Sequence, residues 1–220
     1  MIRFPKRLIS GYRHFRSDRL PGEQMRYREL SEQGQKPEVM VIGCCDSRVA
    51  PESIFDAGPG ELFVMRNVAN LVPPYAPDGE AHGSSAALEF AVQVLRVKHI
   101  VVMGHAQCGG VKALVAEDSH PLSAGDFIGR WMTLIEPEPE RLKQRADETR
   151  QMLIARIEKA VVRRSLQNLM TFPFVRERVE QNDLHLHGAY FGVATGALSV
   201  LDAMSGEFID VQAASDIVGV

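Results

Sequence analysis

Cysteine is scarce in this chain of 220 residues: it has three, Cys44, Cys45 and Cys108. So odd and sparse a count cannot make the disulfide framework of a small secreted domain, and it fits thiols kept reduced for metal binding. Long apolar runs are lacking too. Nothing approaches the roughly 20 consecutive apolar residues of a membrane span, so no membrane partner is expected. The start, MIRFPKRLISGYRHFRSDRL, is basic but has no uninterrupted apolar stretch of the secretory type. Its Arg-rich, Ser-containing character has a trace of an organellar transit peptide. An amphipathic helix with Leu8, Tyr12 and Phe15 on one side is the preferred reading, and the cytoplasm is the expected compartment. No charge of one sign dominates: 25 Lys and Arg against 28 Asp and Glu leave a formal charge of -3, which offers no basic footprint for nucleic acid. Internal repeats and low-complexity linkers are missing as well. A chain of this length with 45% hydrophobic residues is long enough for one substantial core and short for two full domains.

What is present is an alternation of apolar runs and helical patterns. The run PEVMVIG reads as a buried parallel strand over 38–44 that delivers Cys44 at its C-terminal end. A short helix near 51–55 and a strand over 61–66 follow. SSAALEFAVQVLRV (84–97) has apolar residues at helical spacing with a Ser cap, and it feeds a strand at 100–104 that ends at His105. Gly109 and Gly110 then lead into a helix at 111–116. Alternation of this kind predicts an α/β fold, a mostly parallel central sheet flanked by helices with right-handed crossovers and an N-terminal helical arm. The stretch 123–181 reads as mostly helical, broken at 136–140, and the mixed charges of 141–170 read as a solvated face. LHLHGAYFGV and ALSVLD near the C-terminus read as a final strand pair or edge extension.

Two clusters carry chemistry, Cys44-Cys45-Asp46-Ser47-Arg48 and His105-Ala106-Gln107-Cys108-Gly109-Gly110. Thiolate sulfur and imidazole nitrogen favour Zn²⁺, and a catalytic zinc keeps three firm protein ligands with the fourth position open. Packing alone would also bury cysteines, and a His three residues before a Cys is weak evidence by itself. Both clusters, however, sit at strand C-termini, where ligands of open α/β sheets collect. By type either Cys44 or Cys45 could ligate, and strand alternation does not choose between them. Asp46 is placed either to ligate a metal or to accept a hydrogen bond beside it. The guanidinium of Arg48 favours the second, because it can hold the carboxylate bidentately as a Lys cannot.

The spacing C-x-D-x-R and H-x-x-C-G-G, with GELFVMRNVANLVPPY (60–75) between, strongly resembles the β-class carbonic anhydrases of bacteria and plant chloroplasts. The likeness is densest from Gln35 to about Leu114 and resumes more faintly over 184–198. It implies a single domain, with an arm (1–34), a zinc-site core (35–120), a helical region (121–183) and a C-terminal strand region (184–220). It implies one Zn²⁺ per chain on Cys44, His105 and Cys108, an Asp46 and Arg48 catalytic dyad, and reversible hydration of carbon dioxide to bicarbonate. Zinc makes water nucleophilic near neutral pH, as is known for the histidine-ligated carbonic anhydrases. Two thiolates weaken that Lewis acidity, so an alkaline optimum is expected.

The resemblance further implies that Gln35 donates to a substrate oxygen, that Phe63, Val68 and Phe90 wall the pocket, and that the Gly109 N–H assists. Relatives often have Tyr where this chain has Phe90, which removes a hydroxyl from that wall. Plain core packing would equally explain the three apolar residues. The family spacing selects Cys44 as ligand and leaves Cys45 as a packing residue. His14, His82, His99, His120, His185 and His187 have no ligand spacing to the cluster and read as structural or exposed. Relatives that close their site with bicarbonate carry a Trp where Val41 stands here, so an open site is expected although Arg66 remains. The family also implies a homodimer or higher homo-oligomer. A carbon disulfide or carbonyl sulfide hydrolase and a non-catalytic zinc module remain as alternatives; a redox thiol protein would want C-x-x-C, which is absent.

Overall fold

The computed structural model describes residues 4–116, 127–135 and 143–212. Its frame is a six-stranded sheet in the order β2-β1-β3-β4-β5-β6, formed by β1 (Val39–Cys44), β2 (Leu62–Asn67), β3 (His99–His105), β4 (His185–Phe191), β5 (Leu198–Leu201) and β6 (Phe208–Asp210). The pairings of β1 with β2, β1 with β3 and β3 with β4 are parallel, and β5 and β6 extend the sheet antiparallel. The mostly parallel sheet expected from the alternation is therefore present. The C-terminal pair expected from the sequence is three strands, the first of which joins the parallel core.

Parallel neighbours need crossovers, and helices supply them. The chain passes from β2 to β3 through α4 (Gly83–Glu89) and a π-helical turn at Phe90–Leu95, which stops where Arg96 takes a left-handed φ of 55°. This helix starts at Gly83 with no side-chain cap, so the Ser cap expected at 84 is not used. After β3 comes α5 (Gly109–Leu114), which begins two residues earlier than expected because Cys108 serves as its extended N-terminal residue. The described helices of the next region are α6 (Phe127–Met132), α7 (Arg150–Leu169) and α8 (Pro173–Glu180). Helix was expected from 141. Instead α7 starts where Thr149 Oγ1 accepts the Met152 N–H at 3.2 Å, a side-chain cap that fixes the first turn. The expected break at 136–140 lies outside the described residues.

Helix α7 crosses the sheet closely. A Cβ on Gly104 would lie 2.7 Å from Val162 Cγ2, and one on Gly188 would lie 3.0 Å from Val162 Cγ1. Glycine at both positions lets Val162 sit down on β3 and β4, and so sets the height of α7 over the C-terminal end of β3. On that side Met40, Ile42, Ile100 and Val102 pack with Val92, Val162, Leu169 and Phe172 into the main core. The opposite face is thinly covered: Val41, Met103 and Ala189 are buried there, while Val39, Val101 and Leu198 are only partly so.

The expected N-terminal arm consists of α1 (Lys6–His14), a π-helical turn at Phe15–Arg19 and α2 (Leu20–Gln33). α3 is a short helix at Pro51–Ile54. Neither arm helix buries any residue, and the amphipathic face of α1 leaves Leu8 and Tyr12 more than half exposed. Among the described residues no helix is long and apolar enough to cross a membrane.

Candidate active site

Strand β1 ends at Cys44 and β3 at His105, and Cys108 immediately precedes α5. All three are buried, and their ligand atoms lie within 4.8 Å of one another. Cys108 comes back to His105 because the backbone turns at Gln107, a non-glycine residue with φ of 61°. Such a conformation costs about 1 kcal/mol. It also aims the Gln107 carbonyl outward, where Arg48 Nη2 donates to it at 3.1 Å.

The donor set fits a soft or borderline divalent metal. His105 Nδ1 lies 3.0 Å from the Ala106 carbonyl, which can only accept, so that nitrogen carries the proton and Nε2 the lone pair. Nε2 is buried with no hydrogen-bond partner, a costly arrangement unless a metal takes the lone pair. The thiols support the same reading. The hydrogen bond from Cys108 shifts Cys44 toward thiolate against the opposing effect of burial, and Cys108 is pushed up correspondingly. Burial, the largest single influence, lowers His105, but Cys44, the Ala106 carbonyl and Asp46 together turn the net shift upward.

Asp46 and Arg48 form the pair expected from the sequence. Asp46 Oδ1 accepts from the Arg48 backbone N–H at 3.0 Å and from Nε at 2.9 Å, and Oδ2 accepts from Nη2 at 2.7 Å. These bonds hold the carboxyl well below the usual carboxylate range despite its partial burial. Arg66 on β2 donates Nε to the Cys44 carbonyl at 2.8 Å and Nη2 to the Asp46 carbonyl at 2.6 Å. It thereby ties the β1 end to β2. Next to it, the Asn67 side chain brackets Leu71 with two bonds, Nδ2 to the carbonyl at 2.7 Å and Oδ1 from the N–H at 2.9 Å. The enclosed turn holds Ala69 and Asn70 at φ of 63° and 46°.

Sequence reasoning missed Glu158. Its charge was expected on a solvated face, yet the residue is only 3% exposed. Oε1 accepts the Cys108 N–H and Oε2 accepts the Tyr190 hydroxyl, each at 2.7 Å. Burial raises its pKa, and the two donated bonds oppose that shift. The available signal was its place between Ile157 and Val161 on the apolar stripe of α7. Cys45 also differs from expectation: it is exposed, its N–H bonded to the Asn67 carbonyl at 2.9 Å, because the strand end that turns Cys44 inward turns its neighbour out.

The five pocket residues divide into two sets. Gly109 opens α5 beside Cys108, and Val68 packs near it, since a Cβ on Gly110 would touch Val68 Cγ1 at 3.2 Å. Gln35, Phe63 and Phe90 lie toward the other end of the sheet. Phe63 pairs with Met40, whereas Cys44 pairs with Asn67. Four strand residues separate the two, about 13 Å. Phe63 and Phe90 meet at 6.0 Å between ring centroids, Phe90 is 44% exposed, and Gln35 is exposed before β1 begins. Of the other described histidines, His99, His185 and His187 gather at the start of β3 and β4, away from the Cys–His–Cys group.

A mostly parallel sheet with a Cys–His–Cys group that could hold a metal gathered from two strand ends, and an arginine-held aspartate beside it, has the site layout of an open α/β enzyme. Residues 39–198 match the family model described as carbonic anhydrase. The chain is 38% identical over 198 residues to beta carbonic anhydrase 3 of Arabidopsis thaliana, which covers 89% of this chain and 76% of that protein. It is similar to the solved beta-carbonic anhydrase CcaA, with a TM-score of 0.78 at 30% identity over 93% of this chain and 91% of the other. A tetrameric beta-carbonic anhydrase from Sordaria macrospora gives a TM-score of 0.74 at 29% identity over 89% and 95%. The chain belongs to the β-carbonic anhydrase family and is a carbonic anhydrase.

Proposed function

We propose that the chain catalyses the reversible hydration of carbon dioxide to bicarbonate and a proton, with one zinc per chain held by Cys44, His105 and Cys108. Bound there, zinc would supply Lewis acidity and make water nucleophilic near neutral pH. The chain's own residues then do the positioning. Asp46 accepts a hydrogen bond from the attacking water and turns its lone pair toward carbon dioxide. Because Arg48 occupies both carboxylate oxygens, Asp46 stays ionised and stays out of the ligand set. The Gly109 N–H, at the start of α5, is placed to donate to the oxygen on which charge grows, and Val68 gives the apolar substrate a wall.

The working unit in this reading is a homodimer or higher homo-oligomer in which a second copy brings its Gln35, Phe63 and Phe90 to this centre. Support comes from the separation of those residues from their own Cys44, and from the tetrameric assembly of the Sordaria macrospora relative. The exposed apolar residues Leu8, Tyr12, Phe90 and Val94 are surface that a second copy would cover. An open site, without a bicarbonate-operated closure, is part of the proposal. Val41 is buried, and Arg66 has two of its donors committed to backbone carbonyls.

The observation that carries the reading is the bidentate grip of Arg48 on Asp46 beside a buried Cys–His–Cys group with an unpartnered Nε2. It is tested by stopped-flow carbon dioxide hydration with elemental analysis on the same sample. About one zinc per chain with hydration that is lost on its removal is expected, and Cys44→Ser, His105→Ala and Cys108→Ser should each lose the metal. Hydration that persists without metal, or zinc retained in Cys44→Ser and lost in Cys45→Ser, would overturn the assignment.

A further inference from the structure

Three histidines that the carbonic anhydrase site does not use stand together on one face of the sheet. Residues two apart on a strand point to the same side, so His185 and His187 share a face of β4. In the parallel register His99 pairs with His185, and Val101 pairs with His187, which puts His99 on that same side. The rings meet: His99 Nδ1 lies 3.1 Å from His187 Nε2, the His99 ring stacks on that of His185 at 5.4 Å and 27°, and it lies 5.2 Å from that of His187. His99 opens the strand that His105 closes. Six residues of β3, about 20 Å, separate this cluster from the catalytic centre.

We propose that His99, His185 and His187 form a second metal site, for a borderline divalent ion of the zinc, nickel or copper type. Imidazole nitrogen is the donor these ions prefer among side chains other than thiolate. Two nitrogens bound to one tetrahedral ion at 2.0–2.1 Å stand about 3.3 Å apart, close to the separation seen here. At present one proton bridges that pair; an ion takes its place and uses both lone pairs. The half-buried His187 is held toward its neutral, ligating form by burial and by the other two rings. His185 is the exposed member; its nitrogens do not yet lie within 4.8 Å of the other two ligand atoms, and its ring has to turn from the stack to become the third ligand, with water completing the set. Glu38, the carboxylate whose charge His99 feels, is already bound to Lys98, so the protein ligands are the three imidazoles. It is more open than the Cys–His–Cys centre, whose ligand atoms already lie within 4.8 Å of one another, and it holds its ion more weakly and exchangeably.

The test uses the full chain carrying its first zinc, dialysed against free Zn²⁺ stepped upward to about 100 μM, with bound metal counted per chain. The count should rise from about one to about two, with half-saturation in the micromolar range, and the second ion should raise Tm because it binds only the folded chain. His185→Ala, at an exposed position that leaves the fold undisturbed, should weaken the second equivalent at least about tenfold, and His187→Ala should abolish it. In both variants the first equivalent and the hydration rate with one zinc bound should match the unmutated protein. A count that stays at one per chain across the range overturns the proposal. So does a second equivalent that binds equally well in His185→Ala; that variant decides the matter should His187→Ala fail to fold.

Discussion

At the scale of single residues, Arg48 is the side chain whose chemistry cannot be exchanged. Its planar fork meets both oxygens of Asp46 and still reaches the Gln107 carbonyl, so one group fixes the acid and braces the loop that carries Cys108. Arg48→Ala should leave Asp46 free to turn into the ligand set. Hydration should fall by at least about a hundredfold with zinc content unchanged. Arg48→Lys should recover little, since an ammonium is a point charge without the two-pronged geometry. Near-normal kcat/KM in either variant, measured with zinc content on the same sample, would show that Asp46 needs no such restraint. Behind the Cys–His–Cys group, Glu158→Ala should leave the Cys108 N–H and the Tyr190 hydroxyl unpartnered inside the protein, a loss of about 2–4 kcal/mol in stability with weaker retention of a metal bound by that group. Glu158→Gln keeps an acceptor for one of them and should lose about half as much, as denaturant titration of the two variants would show. The Cys–His–Cys group and the Asp46–Arg48 pair were legible in the sequence because thiol, imidazole, carboxylate and guanidinium announce their chemistry, although residue type left Cys44 and Cys45 equal and only the family spacing chose between them. Glu158 was not, because on a long charged helix only the packing of α7 on Gly104 and Gly188 reveals which charge faces inward.

At the scale of elements, the first three strands were legible to within a residue because buried parallel strands are continuous apolar runs, whereas β6 at the antiparallel edge was not foreseen. Helix starts were less so, since they depend on caps and tertiary bonds that composition does not fix. The case of α7 shows this. The residues before it have helical composition, yet Thr149 caps the helix and Glu148 turns back to bind Arg156 through Nε at 2.7 Å and Nη2 at 2.9 Å. The Arg156 bonds hold Glu148 down at a pKa of about 2. A folded-state value below the unfolded one, about 4.3, gives stability that is fully present above pH 5 and is lost as pH falls through the interval down to about 2. Glu148→Gln should therefore cost about 1 kcal/mol at pH 7, or roughly 2–4 °C in Tm for a chain of this size. The difference from the unmutated protein should shrink steadily as thermal melts are repeated from pH 5 toward pH 3. A Tm gap that is independent of pH would mean that the pair contributes through packing alone.

At the scale of the whole molecule, the division of the pocket residues makes a composite site testable without a structure of the assembly. Gln35, Phe63 and Phe90 were expected at the pocket only through the family likeness, and nothing in the linear order said that a strand's length would part them from Cys44 of the same chain. If a second copy supplies them, a Gln35→Ala chain retains a competent metal centre that lacks its donor, and a Cys44→Ser chain retains the donor without the metal. Unfolding and refolding the two together lets mixed dimers form. In each mixed dimer one site joins the intact metal ligands of the first chain to the intact Gln35 of the second, and the other site carries both defects. Random pairing makes about half of the dimers mixed, so about a quarter of all sites should be fully restored in a two-fold symmetric unit. The mixture should then hydrate carbon dioxide well above the mean of its two parents, and refolding the parents separately before mixing should abolish the gain. Were each site built within one chain, no pairing could place both intact residues together, and the refolded mixture would do no better than that mean.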